Sequence, residues 1–149
     1  LGYRLDLALS YKGACGADAA AMQTCYNLAG NNDMKIAAAD WLYMAYRRAG
    51  MPEVAEGAIA WVTPDLEILE NHSYHRRILM YKGLLRPAEL LGDGAALDVA
   101  TQGYGVGNWY LMEGDPDQAE DIFERVLETG YWPAFGYIAA EADLARMRN

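Results

Sequence analysis

One short block occurs twice in this chain and constrains what it can fold into more than any other feature. Gly50-Met51-Pro52-Glu53-Val54-Ala55-Glu56 recurs as Gly114-Asp115-Pro116-Asp117-Gln118-Ala119-Glu120, 64 residues later. An aromatic stands four residues before each glycine, Tyr46 and Tyr110, and a bulky apolar residue four after each alanine, Ile59 and Phe123. The offset is close to two periods of a helical hairpin repeat of about 34 residues.

The block is a helix–turn–helix instruction. A glycine just past a helix end takes the left-handed conformation that lets the orphan carbonyls be satisfied. Proline at the first position of the next helix is preorganised and gives up no needed donor. Asp115 is a natural N-cap, and Gln118 three residues on predicts a capping box. The alanine marks a close approach of two helices.

These residues resemble the tetratricopeptide repeat family. The second copy reads Gly103-x2-Val106-Gly107-x2-Tyr110, then Ala119-x3-Phe123, with Pro133 about one place late. The first reads Ala39-x2-Leu42-Tyr43-x2-Tyr46, then Ala55-x3-Ile59, departing at Tyr43, where the family prefers a small residue. A weaker copy, Tyr74-x2-Arg77-Ile78-x2-Tyr81, lies between them, and Phe135-x2-Ile138-Ala139-x2-Ala142 is similar to the first helix of a further unit. The likeness covers roughly residues 34–149 and is strongest at 39–62 and 103–133. It implies an all-α fold, a right-handed superhelical stack of antiparallel helix hairpins. About four pairs are expected in a single domain over 1–149, with the last helix capping the stack.

Composition agrees with that class. Hydrophobic residues make up 53% of 149, enough for a core without staples, and alanine is abundant. No apolar run approaches the ~20 residues of a membrane span. The net charge of −9 repels a phosphate backbone, so nucleic acid is not an expected partner. Such acidity serves ordinary solubility, or gives a groove that prefers basic or neutral peptides. The chain opens on Leu1 rather than methionine. Both a cytoplasmic form and one exported after loss of an N-terminal segment therefore stay open.

About eight helices are expected along the chain. Residues 1–12 alternate apolar and polar in the manner of a strand, yet also space leucines four apart, and we read them as a helix. Helices are then expected at 18–29, 34–49, 53–62, 64–82 (capped by Thr63 and opened by Pro64), 87–91, 95–112, 116–129 and 133–147. Short loops and the lack of a linker predict no domain boundary.

Little in the sequence points to catalysis. The only histidines, His72 and His75, lie one helical turn apart with Glu70 upstream. They define the alternative reading, a helical metal-binding or hydrolytic module, although zinc asks for a third and usually a fourth ligand in other spacings. Gly103, Gly105 and Gly107 lack the strand and the Lys-Ser/Thr of phosphate loops and read as close helix packing. Cys15 and Cys25 follow no redox or zinc spacing; buried thiols, or a bridge across the break at Gly16, are the two readings. Neither serine sits in a nucleophile elbow. No cofactor is expected.

The aromatic usage favours rings with a polar edge: 11 tyrosines and 4 tryptophans against 2 phenylalanines. Tyr46, Tyr81 and Tyr110 fall at interhelical packing places. The resemblance puts the first helices of the pairs on a concave face, which makes Trp41, Tyr74, Tyr104 and Asn108 the candidate peptide-binding residues. Members that grip the carboxylate end of chaperone tails carry lysine and asparagine where this chain has Asp40 and Met44. Their later basic residues fall here on Thr101 and Gly105, so that clamp is absent. The expected function is a non-enzymatic scaffold for a protein or peptide, with oligomeric state and compartment left open.

Overall fold

A computed structural model describes residues 15–149, with side chains for all of them except 15–19 and 21. The helix expected at 1–12 and the Cys15 thiol lie outside the described residues. Seven α-helices and one 3-10 turn make up the regular structure, and no strand occurs among the described residues. The helices are α1 (Cys15–Asn27), α2 (Asn32–Arg48), α3 (Pro52–Ile59), α4 (His72–Tyr81), α5 (Ala96–Met112), α6 (Pro116–Glu128) and α7 (Phe135–Met147). The chain divides into two compact units, with the division after Ile78, inside α4.

In the first unit α1 packs on α2, and α2 on α3. Asn31 opens α2 by accepting a hydrogen bond from the Met34 amide at 2.8 Å, and Asp33 and Arg47-Arg48 complement the helix dipole at its two ends. The helix ends as the sequence predicts. Gly50 has a φ of 74°, its amide donates to the Arg47 carbonyl, and the Met51 amide reaches back to Tyr46 at 2.9 Å. This is a Schellman closure, with Pro52 at the first position of α3. Ala55 and Ile59 are buried together with Ile36, Leu42 and Val62. Lys35 Nζ lies 4.4 Å from the Trp61 ring and 5.0 Å from that of Tyr26, fastening α1 and α2 to the chain after α3.

The second unit repeats the device. Gly114 has a φ of 85°, its amide donates to Leu111, and the Asp115 amide donates to Tyr110 at 2.9 Å. Tyr46 and Tyr110 thus supply the same carbonyl to the same turn. The Asp115 carboxylate caps α6 through the Gln118 amide at 3.2 Å. The exposed Gln118 side chain makes no return bond among the described residues, so half of the expected box forms. α5 packs against α6 and α7, and α6 also packs against α7. Glycine makes this closeness possible. A Cβ on Gly107 would stand 2.5 Å from Phe123 Cε1, one on Gly103 2.8 Å from Val126 Cγ2, and one on Gly136 2.5 Å from the Ala100 carbonyl oxygen.

The sequence reading fails at residues 64–82, where one long helix is expected and only His72–Tyr81 is helical. The reason lies in Asp33. Its carboxylate accepts the amides of Leu69 (3.0 Å), Glu70 (2.8 Å) and Asn71 (2.7 Å), while the Asn71 side chain donates to the Asp33 carbonyl at 2.8 Å. Amide donors that a longer helix would turn inward are spent instead on the Asp33 carboxylate of α2. The short segment expected at 87–91 forms a 3-10 turn, Pro87–Leu90, closed by Glu89 on the Arg86 amide at 2.7 Å. Among the described residues, no helix is long and apolar enough to cross a membrane.

Candidate functional site

Asp40 and Arg77 are the most heavily invested polar residues of the first unit. Asp40 lies in the apolar run Ala37-Ala38-Ala39-Asp40-Trp41-Leu42, and Arg77 precedes Ile78-Leu79-Met80. Each therefore falls on the buried face of its helix, and both side chains are closed to solvent. Arg77 Nη2 meets Asp40 Oδ2 at 2.5 Å, joining α4 to α2. The guanidinium lies 5.3 Å from the Trp41 ring and 5.1 Å from the Tyr74 ring, and its Nη2 also lies 3.2 Å from Met44 Sδ. The Trp41 indole donates to the Tyr74 hydroxyl at 3.2 Å. The assembly is an ion pair walled by two aromatic rings. It fixes the register of two helices, because an unpaired charge here would cost several kcal/mol.

The sequence-derived candidates Trp41 and Tyr74 meet in this assembly. Trp41 is 6% exposed and Tyr74 is half-buried, so of the two it is Tyr74 that solvent reaches. Tyr104 and Asn108 belong to α5 in the second unit and are 3% and 0% exposed. The Tyr104 hydroxyl donates to Asp143 Oδ2 at 2.9 Å, and its ring stacks on Phe123 with centroids 5.5 Å apart. Arg146 reaches Asp143 Oδ1 at 2.6 Å, which gives that buried carboxylate a second partner. Asn108 Nδ2 lies 3.5 Å from Met112 Sδ one turn along. Trp41 and Tyr104 thus join helices from inside, Asn108 is buried within α5, and of the four candidates Tyr74 keeps a solvent-facing part.

The histidine alternative is built differently from a metal centre. His75 is buried and its Nε2 lies 2.8 Å from the Thr63 carbonyl; a carbonyl only accepts, so that nitrogen carries the proton. His72 and Glu70 are exposed. Glu70, His72 and His75 do not converge, and among the described residues no three His, Cys, Asp or Glu side chains form a group that could hold a metal ion. Asp33 is held below the usual carboxylate range, first by the Asn71 amide and then by those of Leu69 and Glu70. Its lowered pKa belongs to a tie between α2 and the segment before α4.

Two features escape the sequence reading. The Asp40–Arg77 pair was open to detection, since two opposite charges on otherwise apolar helix faces each require a partner. The second is a small apolar cleft of about 20 Å³, open to solvent, between the 3-10 turn, α5 and α6. Its walls include Leu90, Leu91, Val99, Ile122 and Val126, with Arg125 beside them. Its apolar walls carry no convergent set of acids, bases or nucleophiles. No family model, no characterised protein and no solved structure matches this chain significantly.

Proposed function

We propose that this chain is a non-enzymatic scaffold, a right-handed stack of tetratricopeptide-like hairpins that binds a protein or peptide. The observation that carries the reading is the turn at Gly50–Pro52 and Gly114–Pro116. It is closed by the same pair of backbone bonds and followed in both copies by a buried alanine and a buried bulky residue. Chains that spend sequence on repeating one hairpin obtain extended surface rather than an enclosed pocket. The disposition of reactive groups supports this. Asp40 is committed to Arg77, Asp143 to Tyr104 and Arg146, and His75 to a main-chain carbonyl. On this reading Tyr74 touches the ligand, and Trp41, Tyr104 and Asn108 set the helices that carry the surface.

The test is cross-linking mass spectrometry on the protein in its native source extract, with Tyr74→Ala as the comparison. One protein cross-linked at fixed stoichiometry by the parent, and weakened by the variant with its helix content intact, supports the reading. Absence of any stoichiometric partner overturns it.

A further inference from the structure

Lys35, near the start of α2, is held by aromatic rings where an acidic protein would ordinarily offer a lysine a carboxylate. Its ammonium sits 4.4 Å from the Trp61 ring and 5.0 Å from the Tyr26 ring. The two rings meet edge to face, with centroids 6.4 Å apart and planes at 64°, and so form two walls of a corner. The Trp61 indole donates to the Ala58 carbonyl at 3.0 Å, which orients that wall without help from Lys35. All three side chains are half-buried, so the corner opens to solvent. A lysine ammonium carries three N–H donors. None of them meets a carboxylate or another acceptor among the described residues. Ring faces attract positive charge and give these donors no carboxylate or carbonyl to bond. The group that suits such a corner best keeps the charge and has methyl groups in place of the N–H bonds.

The surroundings carry the matching sign. Lys35 is the one lysine or arginine in residues 19–46 and 49–75, stretches that hold Glu53, Glu56, Asp65, Glu67 and Glu70. Arg47 and Arg48 stand in the last turn of α2, with Arg47 twelve residues on from Lys35 and about 18 Å along the helix. On α4, Arg77 is closed on Asp40 and Arg76 has contacts of its own. An approaching cation therefore meets a favourable field.

We propose that the Tyr26–Trp61 corner binds a methylated ammonium group, either a trimethylated lysine of a partner segment or a free quaternary ammonium compound, and that Lys35 is its internal competitor. An exposed lysine–ring contact favours the closed arrangement by only about two- to fivefold. Lys35 therefore leaves the corner readily and lowers the apparent affinity of a ligand by about three- to sixfold. This site uses three side chains of the first unit and is independent of the scaffold reading.

The probes are a short neutral peptide carrying one trimethyllysine, the same peptide with unmodified lysine, and choline. Titration of the isotope-labelled protein is followed through the Trp61 indole and Tyr26 amide resonances. Saturable shifts are expected with the trimethyllysine peptide, with choline or with both, and binding of the lysine peptide should be weaker by about tenfold. Tighter binding of the methylated peptide than of choline places the ligand on a partner chain, and the reverse assigns a small molecule. Lys35→Gln removes the competitor and should tighten binding by about three- to sixfold. Trp61→Ala should abolish binding, and Trp61→Leu, which keeps apolar bulk without the ring face, should do the same if the alanine variant unfolds. Shifts that never saturate with either methylated probe overturn the proposal. So does equal affinity for the lysine peptide, or a Lys35→Gln protein that binds no more tightly than the parent.

Discussion

Asp40 and Arg77 show how much a single pair of residues decides. Truncating Asp40 to alanine leaves a buried guanidinium facing two rings and should cost about 3–5 kcal/mol, read from urea unfolding. Replacing both, as Asp40→Leu with Arg77→Met, should recover most of that loss, because the pair's mutual attraction roughly offsets its desolvation. A double variant no more stable than Asp40→Ala would mean that the pair contributes more than it costs. Asp33 gives a pH-dependent counterpart. Its folded pKa lies below the ordinary carboxylate value of 3.8, so its contribution is present above that value and lost as pH falls through the lower, folded one. The difference in melting temperature between parent and Asp33→Ala should therefore be full near neutrality and shrink below about pH 3.8. A difference that stays constant to pH 2 would assign the stabilisation to something other than the ionised Asp33 carboxylate. These partners were only half legible in the sequence. A charge inside an apolar stripe announces that it needs a partner, whereas the identity of a partner 37 residues away, as for Asp40 and Arg77, depends on packing.

At the scale of elements, both hairpin turns could be read directly, because glycine, proline and the spacing between them act locally. Gly114→Ala should lose about 1–2 kcal/mol, since φ of 85° is a left-handed conformation that alanine adopts at a cost. Ala119→Leu should cost about 1–3 kcal/mol by overpacking a residue with no exposed surface. An Ala119→Leu protein that melts like the parent would show that the helices are not in the register described. The segment at 64–82 marks the limit of local reading. Thr63-Pro64 and the apolar spacing after it suggest a helix start, but the amides of Leu69, Glu70 and Asn71 just before α4 are held by Asp33 in the first turn of α2. Signals carried by the chain itself were readable; a hydrogen bond donated across the fold was not. The site divides in the same way. Trp41 and Tyr74 were picked out through the repeat resemblance, as contact residues, and do meet, yet the burial of Trp41, Tyr104 and Asn108 depends on packing that the sequence does not spell out.

At the scale of the whole chain, sequence composition and structure agree on helices throughout the described residues, within two compact units. The charge of −9 is a property of the entire molecule and has its own consequence. Raising salt from about 0.01 M to about 0.15 M should raise the melting temperature by screening self-repulsion, and a fall would indicate that attractive pairs such as those of Arg148 with Glu120 and Glu124 outweigh it. The scaffold reading rests on one block being used twice as the same turn. The backbone chemical shifts of the labelled protein in solution test that claim most directly. The account predicts helical shifts over 32–48, 52–59, 96–112 and 116–128, left-handed glycine shifts at Gly50 and Gly114, and non-helical shifts at 63–71. A helix running unbroken through Gly50 or Gly114, or a strand in any of these spans, would contradict it.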